Sequence, residues 1–130
     1  MQKQTIQIKK NGKAVFKDIE VARSYGQRMK GLSGRKKLES DGLLLVFPNQ
    51  SKHSIWMPNM KFPIDIVYID KAKKVVDIKH CARPLSLNPK TWKVFRPSEK
   101  SMYVLEIPAN SAKARLKPGD TLQFDIPDAK

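Results

Sequence analysis

The run FPIDIVYID, residues 62–70, constrains the fold more than any other stretch of the chain. A strand turns its side chains to opposite faces at each step, so Ile64, Ile66 and Tyr68 share one face. Asp65, Val67 and Ile69 share the other. Both faces are apolar, and such a strand has to be covered on both sides. Asp65 then needs an explanation, because a buried carboxylate without donors is costly and tends to take up a proton. Its donor has to be an arginine, the backbone amides of the preceding turn MPNMKFP (57–63), or a ligand.

The rest of the chain is punctuated in a similar way. TIQIKKNGKAVFKDIEVA (5–22) alternates apolar and polar residues around Asn11-Gly12, the strongest short hairpin signal there is. Ser24 opens a short helix, Gln27 three residues on completes a capping box, and Gly31 or Gly34 ends it. GLLLVFP (42–48), SIWM (54–57) and PIDIVYID (63–70) read as buried strands. They are short, β-branched or aromatic, and fenced by Pro and Asn. KVVDIKHCA (74–82) is the return strand after a Lys-Ala-Lys turn. MYVLEIP (102–108) and TLQFDIP (121–127) complete the set, with a short helix near 110–116 and a KPGD turn between them. The pattern predicts a mainly β (α+β) fold, a single small barrel-like domain over 1–130 with about seven or eight short strands and two short helices.

Composition excludes several classes. With 40% hydrophobic and 29% charged residues the chain is not expected to be disordered. The start MQKQTIQIKKNG has cations but no apolar run of signal-peptide length, and no segment is long enough to span a bilayer. Cys81 is alone, so neither an intrachain disulfide nor a disulfide-linked partner is expected. The reading is a soluble cytoplasmic protein with no membrane partner. The charge is unusual: 26 Lys plus Arg against 12 Asp plus Glu give +14. The ion-pair networks of proteins from hot environments need Glu to rise with Lys, whereas here 20 Lys face 4 Glu. An external polyanion would relieve the repulsion among these cations; simple solubility in a salty cytosol is the alternative.

Five segments together, RSYGQRMKGLSGR (23–35), GLLLVF (42–47), WMPNMKFPIDI (56–66), YVLEIPA (103–109) and LKPGD (116–120), resemble the domain of unknown function 192 family of bacteria and archaea. The resemblance covers nearly the whole chain. It implies a small, mostly β barrel-like domain and no established activity. The family's polar signature falls on Arg28, Arg35, Asn59, Asp65 and Glu106. Two arginines and two carboxylates suggest a mutual network, with Arg28 or Arg35 forked onto Asp65 and the other onto Glu106. That network either pins the short helix to the strands or lines a pocket in which a carboxylate works as acid or base. Asn59 after Pro58 buttresses its own turn.

Other chemistries lack their residues. One Cys with His53 and His80 cannot close a zinc site without several carboxylates, so no metal is expected. His80 and Cys81 are neighbours on a strand with side chains on opposite faces, and a Cys–His nucleophile would need His53 instead. GLSG (31–34) is too short for a phosphate-binding loop and no dinucleotide fingerprint is present, so no cofactor is expected. No residue is assigned a catalytic role.

The segment ARPLSLNPKTWKVFRPSEKS (82–101) is long for a connection, and Trp92 and Phe95 interleave with Lys90, Lys93 and Arg96. Aromatics beside cations suit stacking on exposed bases with phosphate contacts. Arg28, Lys30, Arg35, Lys36 and Lys37 lie in an acid-free stretch that adds to the same surface. Two functions follow. The preferred one is a non-catalytic module associated with RNA or the ribosome. The other is a small-molecule-binding or hydrolytic pocket protein that uses Asp65 and Glu106 and holds a small anionic ligand with the arginines.

Overall fold

The computed structural model describes residues 5–32, 38–56, 62–82, 94–95 and 97–126, with backbone alone at 55–56, 81–82 and 94–95. In chain order its elements are β1 (Thr5–Lys10), β2 (Lys13–Ala22), α1 (Tyr25–Lys30), β3 (Gly42–Ser51), β4 (Ile55–Trp56), β5 (Ile64–Ile69), β6 (Val75–Ala82), β7 (Val94–Phe95) and β8 (Ser101–Pro108). The fold is mainly β, as the punctuation predicts.

Local chemistry sets the first elements. Asn11 and Gly12 both take positive φ, 54° and 79°, the geometry in which a two-residue turn matches strand twist. Across that turn β1 and β2 pair antiparallel. Ser24 then caps α1: its hydroxyl accepts the Gln27 amide at 3.1 Å, and the Gln27 side chain accepts the Ser24 amide at 3.1 Å. The reciprocal bonds satisfy donors that a helix start leaves open. Gly31 at φ 47° ends the helix.

Six strands form one sheet in the order β1-β2-β3-β8-β5-β6, and β4 pairs with β7 in a separate two-stranded ribbon. Within the six, β2 and β3 run parallel and the other neighbours antiparallel. The sheet does not close into a barrel. Residues 119–124 instead form a strap between its two edges. On the β1 side Lys9 and Gln123 exchange backbone bonds of 2.9 and 2.8 Å; on the β6 side the Val75 amide reaches the Asp120 carbonyl at 2.7 Å. The expected strand at 121–127 is therefore reduced to isolated bridges at Thr121 and Gln123.

The helix expected near 110–116 is a single turn. The amides of Arg115 and Leu116 both reach the Ala112 carbonyl, at 3.0 and 2.8 Å. Pro108 and Pro118 fence this stretch, and the second keeps Lys117 away from helical backbone angles, so no further turn fits.

Every residue of β5 is buried. Its two faces feed two cores, as the period of two requires. Val67 and Ile69 join Ile8, Phe16, Leu44, Leu105 and Phe124 in the inner core beneath the strap. Ile64, Ile66 and Tyr68 join Leu32, Leu43, Leu45 and Val104 in the outer core. Each such aliphatic side chain contributes roughly 1.5–3 kcal/mol by leaving water. Among the described residues no helix is long and apolar enough to cross a membrane.

At Gly42, the start of β3, the neighbouring β8 leaves no room for a side chain. A Cβ there would sit 2.6 Å from the Glu106 carbonyl oxygen and 2.7 Å from Ile107 Cγ2. Gly42→Ala should destabilise the protein by about 1–3 kcal/mol through overpacking against backbone, read as a lower urea midpoint. An unchanged midpoint would show that β3 and β8 can separate at no cost.

Candidate functional site

Asp65 lies on the inner face of β5 and is fully buried. Its Oδ2 accepts the Ala112 amide at 2.9 Å, so the carboxylate pegs the turn after β8 over the inner core. This donor is not one the sequence suggested, because Ala112 lies 47 residues further along the chain. On the other side β6 carries an extra residue: Ile64 pairs with Ala82 and Ile66 with Lys79, leaving His80 and Cys81 opposite Asp65. The bulge brings His80 Nδ1 to 4.0 Å from Asp65 Oδ2.

Glu106 is on β8 and faces the other way. Strand register lays out one row of the outer face as Glu20, Leu43, Glu106, Ile66 and Lys79. The next row is Ala22, Leu45, Val104, Tyr68 and Asp77. Glu106 thus stands between two apolar side chains, only 6% exposed. Burial pushes its carboxyl up from 4.5 to about 7. Tyr68 nearby is held above the ordinary tyrosine value, first by burial and then by the charges of Asp77 and Glu106.

The other carboxylates on this face have partners. Glu20, 5% exposed, accepts the Ser40 hydroxyl at 2.7 Å. Asp77 accepts the amides of Ile78 and Ser98, each at 2.9 Å, and pairs with Lys79 at 3.2 Å. Glu20, Tyr68 and Asp77 were not singled out in the sequence. The parity Glu20–Ala22 and Tyr68–Ile66 carries the signal, but only the pairing of distant strands aligns them with Glu106.

Among the described signature residues, Arg28, Asp65 and Glu106 do not form one network. Asp65 and Glu106 lie on opposite faces of the sheet, so they cannot share a pocket. Arg28 forks onto neither. Its Nη1 donates to the carbonyls of Arg23 and of Val46, the latter at 3.1 Å, and its guanidinium lies 5.2 Å from the Phe47 ring centre. Arg28 clamps α1 to the middle of β3 through a backbone carbonyl. Arg23 Nη1 is buried with no hydrogen-bond partner, and Lys30 is exposed on α1. Phe95 is described by its backbone in β7. Arg35, Asn59, Lys36, Lys37, Lys90, Trp92, Lys93 and Arg96 lie outside the described residues. His53 stacks on Phe47 with ring centres 3.7 Å apart. Among the described residues no group of three or more His, Cys, Asp or Glu is placed to hold a metal ion.

A six-stranded mixed sheet with a strap across its edges and ionisable groups buried on both faces defines a small, mainly β class of protein. Within that class the chain belongs to the domain of unknown function 192 family, described as "Uncharacterized ACR", whose model matches residues 6–124. It is similar to a UPF0127 protein of Thermococcus gammatolerans, 28% identical over 86% of this chain and 69% of that protein. A UPF0127 protein of Thermococcus kodakarensis is 26% identical over 87% and 68%. The crystal structure of a candidate transcription regulator from Sinorhizobium meliloti 1021 superposes with a TM-score of 0.78 at 26% identity, covering 95% of this chain and 94% of that one. A protein of unknown function from Novosphingobium aromaticivorans gives 0.78 at 24% identity, over 95% and 86%, and shares the fold.

Two outcomes are expected. Asp65→Ala should cost at least the roughly 1–3 kcal/mol of a buried amide left without its acceptor; a melting temperature equal to wild type would remove Asp65 from the architecture. Glu106 binds a proton more tightly in the folded state, so its contribution is intact below about pH 4.5 and is lost as pH rises through about 7. Glu106→Gln should therefore gain on wild type between pH 5 and pH 8 by an amount on the order of 3 kcal/mol. Urea midpoints at the two pH values read this, and an equal difference at both would mean that the carboxyl titrates as if exposed.

Proposed function

We propose that this chain is a non-catalytic RNA-binding module of the cytoplasm that holds phosphates along the edge crossed by the strap. The observation that carries the reading is a convergence of cations from three distant segments. Lys9 and Lys10 come from the first hairpin, Lys73 and Lys74 from the turn before β6, and Arg115 and Lys117 from the turn before the strap. Backbone bonds of the strap draw the hairpin and the β6 turn together, and Lys10 Nζ reaches the Arg115 carbonyl at 2.7 Å. Lys13, Lys71 and Lys113 flank them, all exposed.

The acids nearby have other duties. Asp70 accepts the amides of Ala72 and Lys74 at 2.9 Å each. Asp120 accepts the Lys117 amide at 3.0 Å and pairs with Lys10 at 3.3 Å. Asp125 lies with Lys9 and Lys73 in a groove of about 620 Å3 floored by Leu122 and Phe124. Phe124 is buried, so this groove offers no stacking surface, and phosphate contact is the mode it favours. Of the basic surface expected around α1 and residues 90–96, the side chains that the structure describes are those of Arg28 and Lys30. The similarity to a candidate transcription regulator supports a nucleic-acid partner in general. The helix described here has six residues, short for reading a major groove, which favours RNA bound through its backbone.

With about six phosphate contacts, affinity for single-stranded RNA should fall several hundred-fold between roughly 50 and 200 mM salt. Replacing Lys9, Lys74 and Lys117 together by Gln should flatten the log–log salt slope by about 2. The comparison is the same change at Lys30, Lys52 and Lys100, exposed cations away from the strap. Fluorescence anisotropy with RNA and with duplex DNA reads both sets. Equal losses from the two triples would reduce the binding to attraction by net charge.

A further inference from the structure

We propose that the Asn11–Gly12 turn is a covalent modification site, where the Asn11 side chain deamidates with water as the only co-reactant, and that the strap suppresses this reaction through Gln123. The inference goes beyond the RNA reading and does not depend on it. Asn11 and Gly12 are both exposed at the tip of the first hairpin. Gly12 has no side chain to hinder approach to its own nitrogen, and the Asn11 side chain is short enough to close a five-membered ring onto that atom.

In that reaction the Gly12 nitrogen gives up its proton and attacks the Asn11 side-chain carbonyl carbon. A carbon–nitrogen bond forms, and the side-chain nitrogen takes the proton and leaves as ammonia. Water then opens the cyclic imide at either carbonyl, restoring the amide N–H and leaving a carboxylate. The product is aspartate, or isoaspartate, in which the main chain runs through the side-chain carbon. No oxidant or reductant is needed.

The attacking nitrogen is occupied in the folded protein. The Gly12 amide donates to Gln123 Oε1 at 3.0 Å, and it has to leave this bond before it can attack. The strap carries Gln123 to the turn. Its backbone exchanges bonds of 2.9 and 2.8 Å with Lys9, and its neighbours Leu122 and Phe124 are buried, which directs Gln123 to the opposite side. Gln123 is 111 residues from Gly12 in the chain, so this protection exists only while the strap is seated. Asn110 supplies a comparison within the same molecule. It is exposed, has a positive φ of 71° and precedes the small residue Ser111. The Ser111 amide, however, donates to the Pro108 carbonyl at 3.0 Å, a bond local to its own turn.

The product alters this edge of the sheet. A carboxylate at residue 11 stands in a turn flanked by Lys9, Lys10 and Lys13. Isoaspartate also adds a backbone atom to a two-residue turn whose geometry matches the twist of its strands. Opening of the strap is thereby recorded as a permanent negative charge on the hairpin.

The test incubates the full chain in mildly alkaline buffer and then cleaves it at glutamates, which leaves Asn11 and Asn110 in the separate peptides 1–20 and 107–130. Mass spectrometry follows conversion of amide to acid in each, and chromatography separates the isoaspartyl form. Gln123→Met keeps the length of the side chain and removes the acceptor. It should speed deamidation at Asn11 by roughly two- to tenfold and leave Asn110 at its wild-type rate. Gln123→Glu retains an acceptor and should protect Asn11 at least as well as wild type. Wild type unfolded in urea should react faster at Asn11 than the folded protein. The proposal is overturned if Asn11 is inert in urea, or reacts there no faster than when folded. It is equally overturned if Gln123→Met matches wild type, if Gln123→Glu matches Gln123→Met, or if Gln123→Met accelerates both asparagines alike, the sign of general loosening. Proton NMR of each variant establishes that it is folded.

Discussion

Two-sided burial of the β8–β5 pair is the constraint on which the rest of this structure depends. These strands lie inside the six-stranded sheet, and neither face of β5 reaches water. A sheet buried on both faces needs two coverings, and this small chain makes them differently. The inner covering is the chain's own C-terminal segment, drawn over the core by the strap and by the Asp65–Ala112 bond. The outer one involves the short α1 end and Leu32. Gly42 belongs to the same constraint, since a side chain there would wedge β3 away from β8.

Burial also sorts the charges. Cations have long, flexible stems and keep their ammonium groups in water at little cost, so the lysines collect at turns and edges. Carboxylates are short. A Glu or Asp placed by strand parity on a covered face stays there and has to find donors. Asp65 finds a backbone amide, Glu20 a hydroxyl, and Asp77 two amides and a lysine. Glu106 stands between a leucine and an isoleucine, which is why its carboxyl is shifted towards neutrality. A strongly basic protein therefore has an acidic covered face and a basic edge, with a sheet between them.

The described residues of the family's polar signature divide along the same lines. Arg28 is a clamp on the carbonyls of Arg23 and Val46, Asp65 is a peg for a turn, and Glu106 is a carboxyl buried between apolar neighbours. Residues that stand close in a signature need not stand close in space. A sheet face is the divider here, because a change of strand parity separates two side chains by the full thickness of the sheet.

Much of this was legible in the residues. Asn11-Gly12 could hardly be anything but a tight hairpin, since both positions accept positive φ. Ser24 with Gln27 wrote its own helix start. The unbroken apolar run 64–69, interrupted only by Asp65, required a strand covered on both sides. These are short-range effects of backbone sterics, side-chain parity and local hydrogen bonds, and they need no knowledge of distant partners. The second helix and the last strand were misread because prolines and a single pair of bridges, not propensity, decide 108–124. What only the tertiary structure decided is who meets whom: Ala112 on Asp65, Glu20 in the row of Glu106, and lysines from three segments at one edge. Those meetings follow from the pairing of strands far apart in the chain and from the strap that ties the sheet's edges. Residue type and local spacing specify which bonds a group needs, but the long-range register chooses the group that supplies them.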